Sequence, residues 1–196
     1  MSDSKHQHGW RRGRLVAAWA TLMTMVALLF TAQPAEADWF GLLKVDEGGQ
    51  NVTFASDEDN LDHRLYWNHF VHFEQYDQYG ARTDLSVSEL TSGAWTNNTD
   101  IVWFAASLPG INGDESCRVV LSSGVCDRAR IRFDETMTRA VPDRMGWFLV
   151  CHEFGHAYGF EDYGNGDCMA GSANPQSPPA DGTLSGHMID HINAYY

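Results

Sequence analysis

The sequence predicts an α/β fold: a small, twisted, mixed sheet with one helix ahead of it, a long helix behind it and a C-terminal helix. Three observations lead there. Extended stretches recur at Leu85–Ser88, Asp100–Ser107 and Ala129–Phe133, marked by apolar–polar alternation or by the continuous run Ile101-Val102-Trp103-Phe104. Val141-Pro142-Asp143 opens a helix, with the proline ending what precedes it and Asp143 expected as the N-cap. Leu184–Tyr195 has the pattern of a closing helix.

The elements follow in order. Residues 1–14 are polar and carry Lys5, Arg11, Arg12 and Arg14; Leu15 to Phe30 is apolar apart from Thr21 and Thr24, and Ala35-Glu36-Ala37 is a small-x-small cleavage signature. That order is expected of a secretory signal peptide over 1–37, with an uncleaved anchor as the alternative, and the apolar run is shorter than the roughly 20 residues that span a bilayer. Arg11-Arg12 leaves open which export route reads it. Residues 38–60 read as a short N-terminal segment with a strand near Asn51–Ala55 and the acidic run Asp57-Glu58-Asp59, where calcium is conceivable but unsupported. From 61 onward the chain reads as one domain. Leu61, Leu65, Phe70, Phe73 and Tyr76 recur at steps of three to five and fit one helix face, with His69 on it; a strand over Leu65–Phe73 is the alternative. In Ala129–Phe133, Arg130 and Arg132 alternate with Ile131 and Phe133, as in a half-buried strand expected to border the cleft. The helix from Asp143 should run to about Tyr158 and stop at Gly159. Residues 164–183 are rich in Gly, Pro, Ser and Asn and read as loop.

Removing residues 1–37 takes away four basic and two acidic groups and carries the net charge from −13 to −15, with Lys44 the one lysine left. Such a surface disfavours nucleic acid and anionic membranes. A single-domain monomer is expected, with no stable membrane association once the signal is removed. The four cysteines, Cys117, Cys126, Cys151 and Cys168, are an even number in a chain expected to be exported, which suggests two disulfides; sequence alone permits three connectivities.

The chemistry concentrates in His152-Glu153-Phe154-Gly155-His156-Ala157-Tyr158-Gly159-Phe160-Glu161-Asp162. Residues four apart on a helix lie about 40° apart around its axis, so His152 and His156 can reach one ion. Glu153 is turned about 100° from His152 and can touch a water without ligating the metal. A catalytic zinc usually has three protein ligands; Gly159 permits a left-handed turn that returns Asp162 to the same ion, with Glu161 the rival. With nine His and nine Glu in the chain, H-E-x-x-H arises by chance in roughly 0.02 of such sequences; adding Gly159 and Asp162 leaves roughly 2 in 10,000. The motif therefore outweighs an amphipathic helix bearing surface histidines.

Residues 152–162 resemble the metzincin metallopeptidases, whose motif H-E-x-x-H-x-x-G-x-x-H/D precedes a Met-turn. In its aspartate form the stretch is similar to the snapalysin-type small secreted peptidases of actinomycetes, and departs from the matrixin-like branch, where the third ligand is histidine. The resemblance runs from about Thr99 to Tyr196 and includes Cys126-Asp127-Arg128, Cys151-His152-Glu153, Cys168-Met169 and His191-Ile192-Asn193-Ala194-Tyr195. It implies a metzincin-like fold and a secreted zinc endopeptidase acting on protein or peptide substrates. It also implies metal ligands His152, His156 and Asp162, Glu153 as catalytic base, and Met169 as the Met-turn residue beneath the metal. Residues 170–182 would wall the primary specificity pocket. The favoured disulfides are Cys117–Cys126, closing a short loop, and Cys151–Cys168, tying the long helix to the Met-turn. No cysteine lies between Ala37 and Cys117 to hold a zinc latent.

Two rivals are weighed. A secreted protein with a structural, non-catalytic zinc would not require Glu153. A peptidase with a distant glutamate ligand would not require Gly159, Asp162 and Met169. His187 and His191 share i,i+4 spacing without a following Glu and read as a helix face, with a second metal site the alternative; His63, His69 and His72 read as surface or core residues.

Overall fold

The computed structural model describes residues 50–91, 95–137, 142–162, 167–170 and 182–196. Residues 1–37, and with them the expected signal peptide, lie outside that set, as does most of the loop at 164–183.

Five strands form one sheet in the order β2-β1-β3-β5-β4: β1 (Asn51–Ser56), β2 (Ser86–Glu89), β3 (Ile101–Ala106), β4 (Gly113–Val120) and β5 (Cys126–Asp134). All neighbours are parallel except β4, which runs antiparallel to β5. The expected small mixed sheet is present. It begins in residues that the sequence assigned to the short N-terminal segment, because β1 pairs on both sides.

β4 changes the reading of the cleft. Its sequence, Gly-Asp-Glu-Ser-Cys-Arg-Val-Val, has no apolar alternation in its first half, so no periodicity marks it as a strand. It nonetheless forms the edge, and Ala129–Phe133 lies inside the sheet as part of β5, between β3 and β4. The expectation that Ala129–Phe133 borders the cleft is therefore corrected: β4 does. The alternation itself holds, with Ala129, Ile131 and Phe133 buried and Arg130 and Arg132 part-exposed.

Helix α1 (Leu61–His72) is capped by Asn60, whose side chain accepts from the amides of Asp62 and His63. Its buried face is Trp67, Phe70 and Val71, and Trp67 stacks on Phe133 of the sheet at 4.4 Å. Leu61 and Leu65 are instead 55% and 62% exposed. The predicted face holds at Phe70 and fails at Leu61, Leu65 and Tyr76, for a physical reason. The inward stripe continues through Glu74, Gln75 and Gln78, polar residues buried in a π-helical segment, Phe73–Gly80, that an apolar count cannot assign to a core.

Helix α2 (Asp143–Ala157) lies against this layer: a Cβ on Gly146 would come within 2.6 Å of the Phe70 ring, so the glycine admits the aromatic at backbone distance. Pro142 occupies the N-cap position and Asp143 is the first helical residue with no side-chain cap bond, one position later than expected, where its charge still faces the positive helix end. Helix α3 (Gly186–Tyr195) is capped by Ser185, whose hydroxyl accepts from the Met188 amide. Both expected disulfides are present, Cys117–Cys126 and Cys151–Cys168. None of the described helices is long and apolar enough to cross a membrane.

Candidate metal centre

The end of α2 builds the site. Gly159 adopts φ 98°, its amide donates to the His156 carbonyl, and the Phe160 amide donates to the Gly155 carbonyl. These are the two bonds of a Schellman cap, which needs a left-handed residue where Gly159 stands. The reversal carries Asp162 back over the helix. His152 Nε2, His156 Nε2 and Asp162 Oδ1 converge, 3.1 Å apart for the two nitrogens and 3.2 Å from each nitrogen to the oxygen.

The hydrogen bonds behind these atoms settle the tautomers. His152 Nδ1 lies 2.7 Å from the Cys168 carbonyl and His156 Nδ1 lies 2.8 Å from the Phe160 carbonyl. A carbonyl only accepts, so each Nδ1 carries a hydrogen and donates it, and in a neutral ring so held the lone pair is on Nε2. Burial, followed by the neighbouring His156, lowers the pKa of His152 and favours that neutral form. Two imidazole lone pairs and a carboxylate oxygen thus face one point, an arrangement that repels itself unless a cation lies between. A tetrahedral ion with bonds near 2.0–2.2 Å spaces its donors by roughly 3.3 Å. The three residues therefore fit a metal ion, and they are the one such group among the described residues.

Other expected contributors fall as follows. Glu161 is exposed and outside the cluster. Met169 is fully buried, and a Cβ on Gly155 would meet its Sδ at 2.2 Å, so the methionine packs on the helix at the glycine between the two histidines. Asp167 Oδ1 accepts from the Met169 amide and shapes the turn that presents the Cys168 carbonyl to His152. Cys151–Cys168 fixes that turn to α2. His187 and His191 lie on α3 with rings 4.3 Å apart and join no ligand group among the described residues. His72 faces Glu89 at 3.1 Å, His63 lies near Glu58, and His69 is exposed against Trp147. The acidic run is engaged elsewhere: Asp57 accepts from the Trp95 indole, and Glu58 accepts from the amides of Asn60 and Ala105. The run belongs to no group of three or more metal-ligating side chains among the described residues.

Glu153 is 4% exposed and opens onto the cleft beside the three donors. Burial above all, then Asp114, Glu115 and Asp162, raise its pKa well above the usual carboxylate range. Two cavities flank it. One, about 320 Å³, is walled by Ile111, Met145, Phe148, Leu149 and Ala170; the remainder of the expected wall at 171–181 lies outside the described residues. The other, about 330 Å³, is lined by Asp114 and Glu115, and both cavities share Gly113, His152, Glu153 and Asp162. Burial, then Asp114, push the Glu115 carboxyl up to about 7, against the pull of Arg130.

Sequence reasoning missed Gly113, Glu115 and Phe148. A Cβ on Gly113 would lie 2.6 Å from Glu153 Oε1, and Phe148 stacks on His152 at 5.6 Å. Phe148 stands four residues before His152, a spacing that could have flagged it; nothing in an unrecognised strand marks the other two.

No protein-family model matches the chain, and no curated protein matches it. Among solved structures, that of myroilysin is similar at 14% identity and a TM-score of 0.41, covering 60% of this chain and 52% of that one. The chain thus spans about half the length of the structure it matches.

Proposed function

We propose that the chain is an exported zinc-dependent endopeptidase. The observation that carries this is the convergence of His152 Nε2, His156 Nε2 and Asp162 Oδ1 at 3.1–3.2 Å, with the Glu153 carboxyl buried beside them in an open cleft. Two imidazoles and one carboxylate suit zinc, with a position left open. Held there, zinc would supply Lewis-acid polarisation of a carbonyl and greater acidity to a water.

The chain's own groups supply the rest. Glu153 takes a proton from the attacking water and delivers it to the departing amine. The Nδ1–H bonds of His152 and His156 hold both rings in the tautomer that offers Nε2. The outer edge of β4, which pairs with no further strand among the described residues, offers backbone groups to an extended peptide, and the cavity at Ile111, Met145, Phe148 and Leu149 suits an apolar side chain beside the cut bond. A structural zinc site would have no use for a carboxyl that opens onto a cleft without joining the ligands. Export rests on the basic, apolar and small-residue order of residues 1–37 together with the two disulfides.

Casein hydrolysis by the mature protein tests the proposal. Activity should vanish with 1,10-phenanthroline and return with zinc, and Glu153→Ala should retain zinc without activity. A zinc-loaded protein that cuts no peptide would overturn it.

A further inference from the structure

One carboxylate in the cleft has no task in the metal centre. Asp162 is among the three converging donors, and Glu153 stands beside them as the proton carrier. Asp114 is held by both arms of the Arg132 guanidinium, through Nε at 2.7 Å and through the terminal nitrogen. Glu115 lines the same cavity as His152, Glu153, His156 and Asp162; it feels the charge of Arg130 but makes no hydrogen bond and no ion pair within 4 Å among the described residues. A second feature of this cavity points to a ligand: Glu153, more than nine-tenths buried, also faces it.

Strand geometry says what would reach Glu115. Gly113 and Glu115 are two residues apart on the edge strand and share one face of it, the face that meets Glu153. A peptide added at that edge presents every second side chain to the same face, about 4.5–5.5 Å from the residue opposite. The side chain opposite Glu115 enters the cavity that Glu115 lines together with Asp114, Glu153 and the three metal donors. On the other side of Gly113 and Glu153 lies the apolar cavity of Met145, Phe148 and Leu149. The cleft therefore has an anionic arm and an apolar arm, with the metal centre between them.

We propose that Glu115 is a specificity-determining residue that selects substrates carrying a lysine or arginine on the anionic arm. The inference deepens the peptidase reading and rests on it. Cleavage then falls in segments with a basic residue on one side of the bond and an apolar residue on the other. Lysine and arginine suit the site because their long stems carry the charge to a half-buried carboxylate.

The test uses the zinc-loaded mature chain and a peptide library read by mass spectrometry, followed by two peptides that differ only by Lys or Gln at the enriched position. The parent should prefer the Lys peptide by about tenfold in kcat/KM. Glu115→Gln should bring the ratio near one, and Glu115→Lys should shift preference to a Glu-containing peptide, with zinc content and circular dichroism confirming the fold of both. A ratio unaltered by Glu115→Gln, or no basic enrichment in the parent, would overturn the proposal. Binding of the Lys and Gln sets by inactive Glu153→Ala protein, with and without Glu115→Gln, separates two failures. Absence of cleavage alone defeats the peptidase reading, whereas equal binding of both sets defeats the role of Glu115.

Discussion

Replacing Gly113 by alanine should silence the cleft while leaving the metal site and the fold intact. The added Cβ would lie 2.6 Å from Glu153 Oε1 and 3.0 Å from its Cγ and Cδ. Carbon contacts settle near 3.5 Å, so the carboxyl must retreat by roughly 0.5–1 Å. Gly113 is not among the described glycines with positive φ, so alanine meets no backbone strain there. Removing a glycine from a strand gains about 0.5–1 kcal/mol and overpacking costs about 1–3 kcal/mol, which leaves a net loss of up to about 2.5 kcal/mol. A misplacement of about 1 Å in a catalytic group costs about 100-fold in rate. Stability and activity therefore separate. The assay is kcat/KM on a fluorogenic peptide beside zinc content and Tm. Unchanged kcat/KM would refute the contact between β4 and Glu153, and loss of zinc would show that Gly113 supports the ligands instead.

Asp162→Ala should weaken zinc binding and activity together, whereas Asp162→His should retain part of both by restoring a nitrogen donor; competitive chelator titration decides, and parental affinity in the alanine variant would place the third ligand elsewhere. Replacing Cys151 and Cys168 together by alanine should destabilise the domain by about 2–4 kcal/mol and lower zinc affinity about 10–100-fold, because the turn that holds the carbonyl against His152 Nδ1 is released. Urea melts and zinc titration read the two effects, and full affinity would show that Asp167 alone sets the turn. Glu74 is buried with neither carboxyl oxygen partnered among the described residues, and burial, against the pull of Arg82, raises its pKa well above 4.5. A carboxyl raised in the folded state costs stability as pH climbs past its unfolded value, about 1.4 kcal/mol per unit of elevation. Glu74→Gln should therefore stabilise at pH 8, with the gain gone at pH 4; an equal effect at both would contradict the assignment.

What could be read from the sequence was local. The i,i+4 histidines, the glycine turn and Asp162 sit within eleven residues, so helix geometry alone brings them together, and the Schellman cap at Gly159 does what its residue type foretold. β3 announced itself through Ile101-Val102-Trp103-Phe104, which is apolar because both faces of an interior strand are covered. β4 left no such trace. Among the described residues it is held by backbone bonds to β5 on one side only, so its side chains are free to be Asp, Glu and Ser. With β4 unseen, Gly113 and Glu115 could not be placed beside Glu153, some forty residues away in the chain. The buried face of α1 and of the π-helical segment after it is only partly legible for a related reason: tertiary packing covers Phe70, Glu74, Gln75 and Gln78 while leaving Leu61 and Leu65 in solvent.

The proposed peptidase chemistry requires one zinc held by His152, His156 and Asp162, with Glu153 close by but not bound to it. Crystals of the zinc-loaded mature protein, measured at energies on either side of the zinc absorption edge, test it most directly. A single anomalous peak should lie within bonding distance of His152 Nε2, His156 Nε2 and an Asp162 oxygen, with the Glu153 carboxyl outside that distance. A peak ligated by Glu153 or Glu161, or one located away from α2, would contradict it.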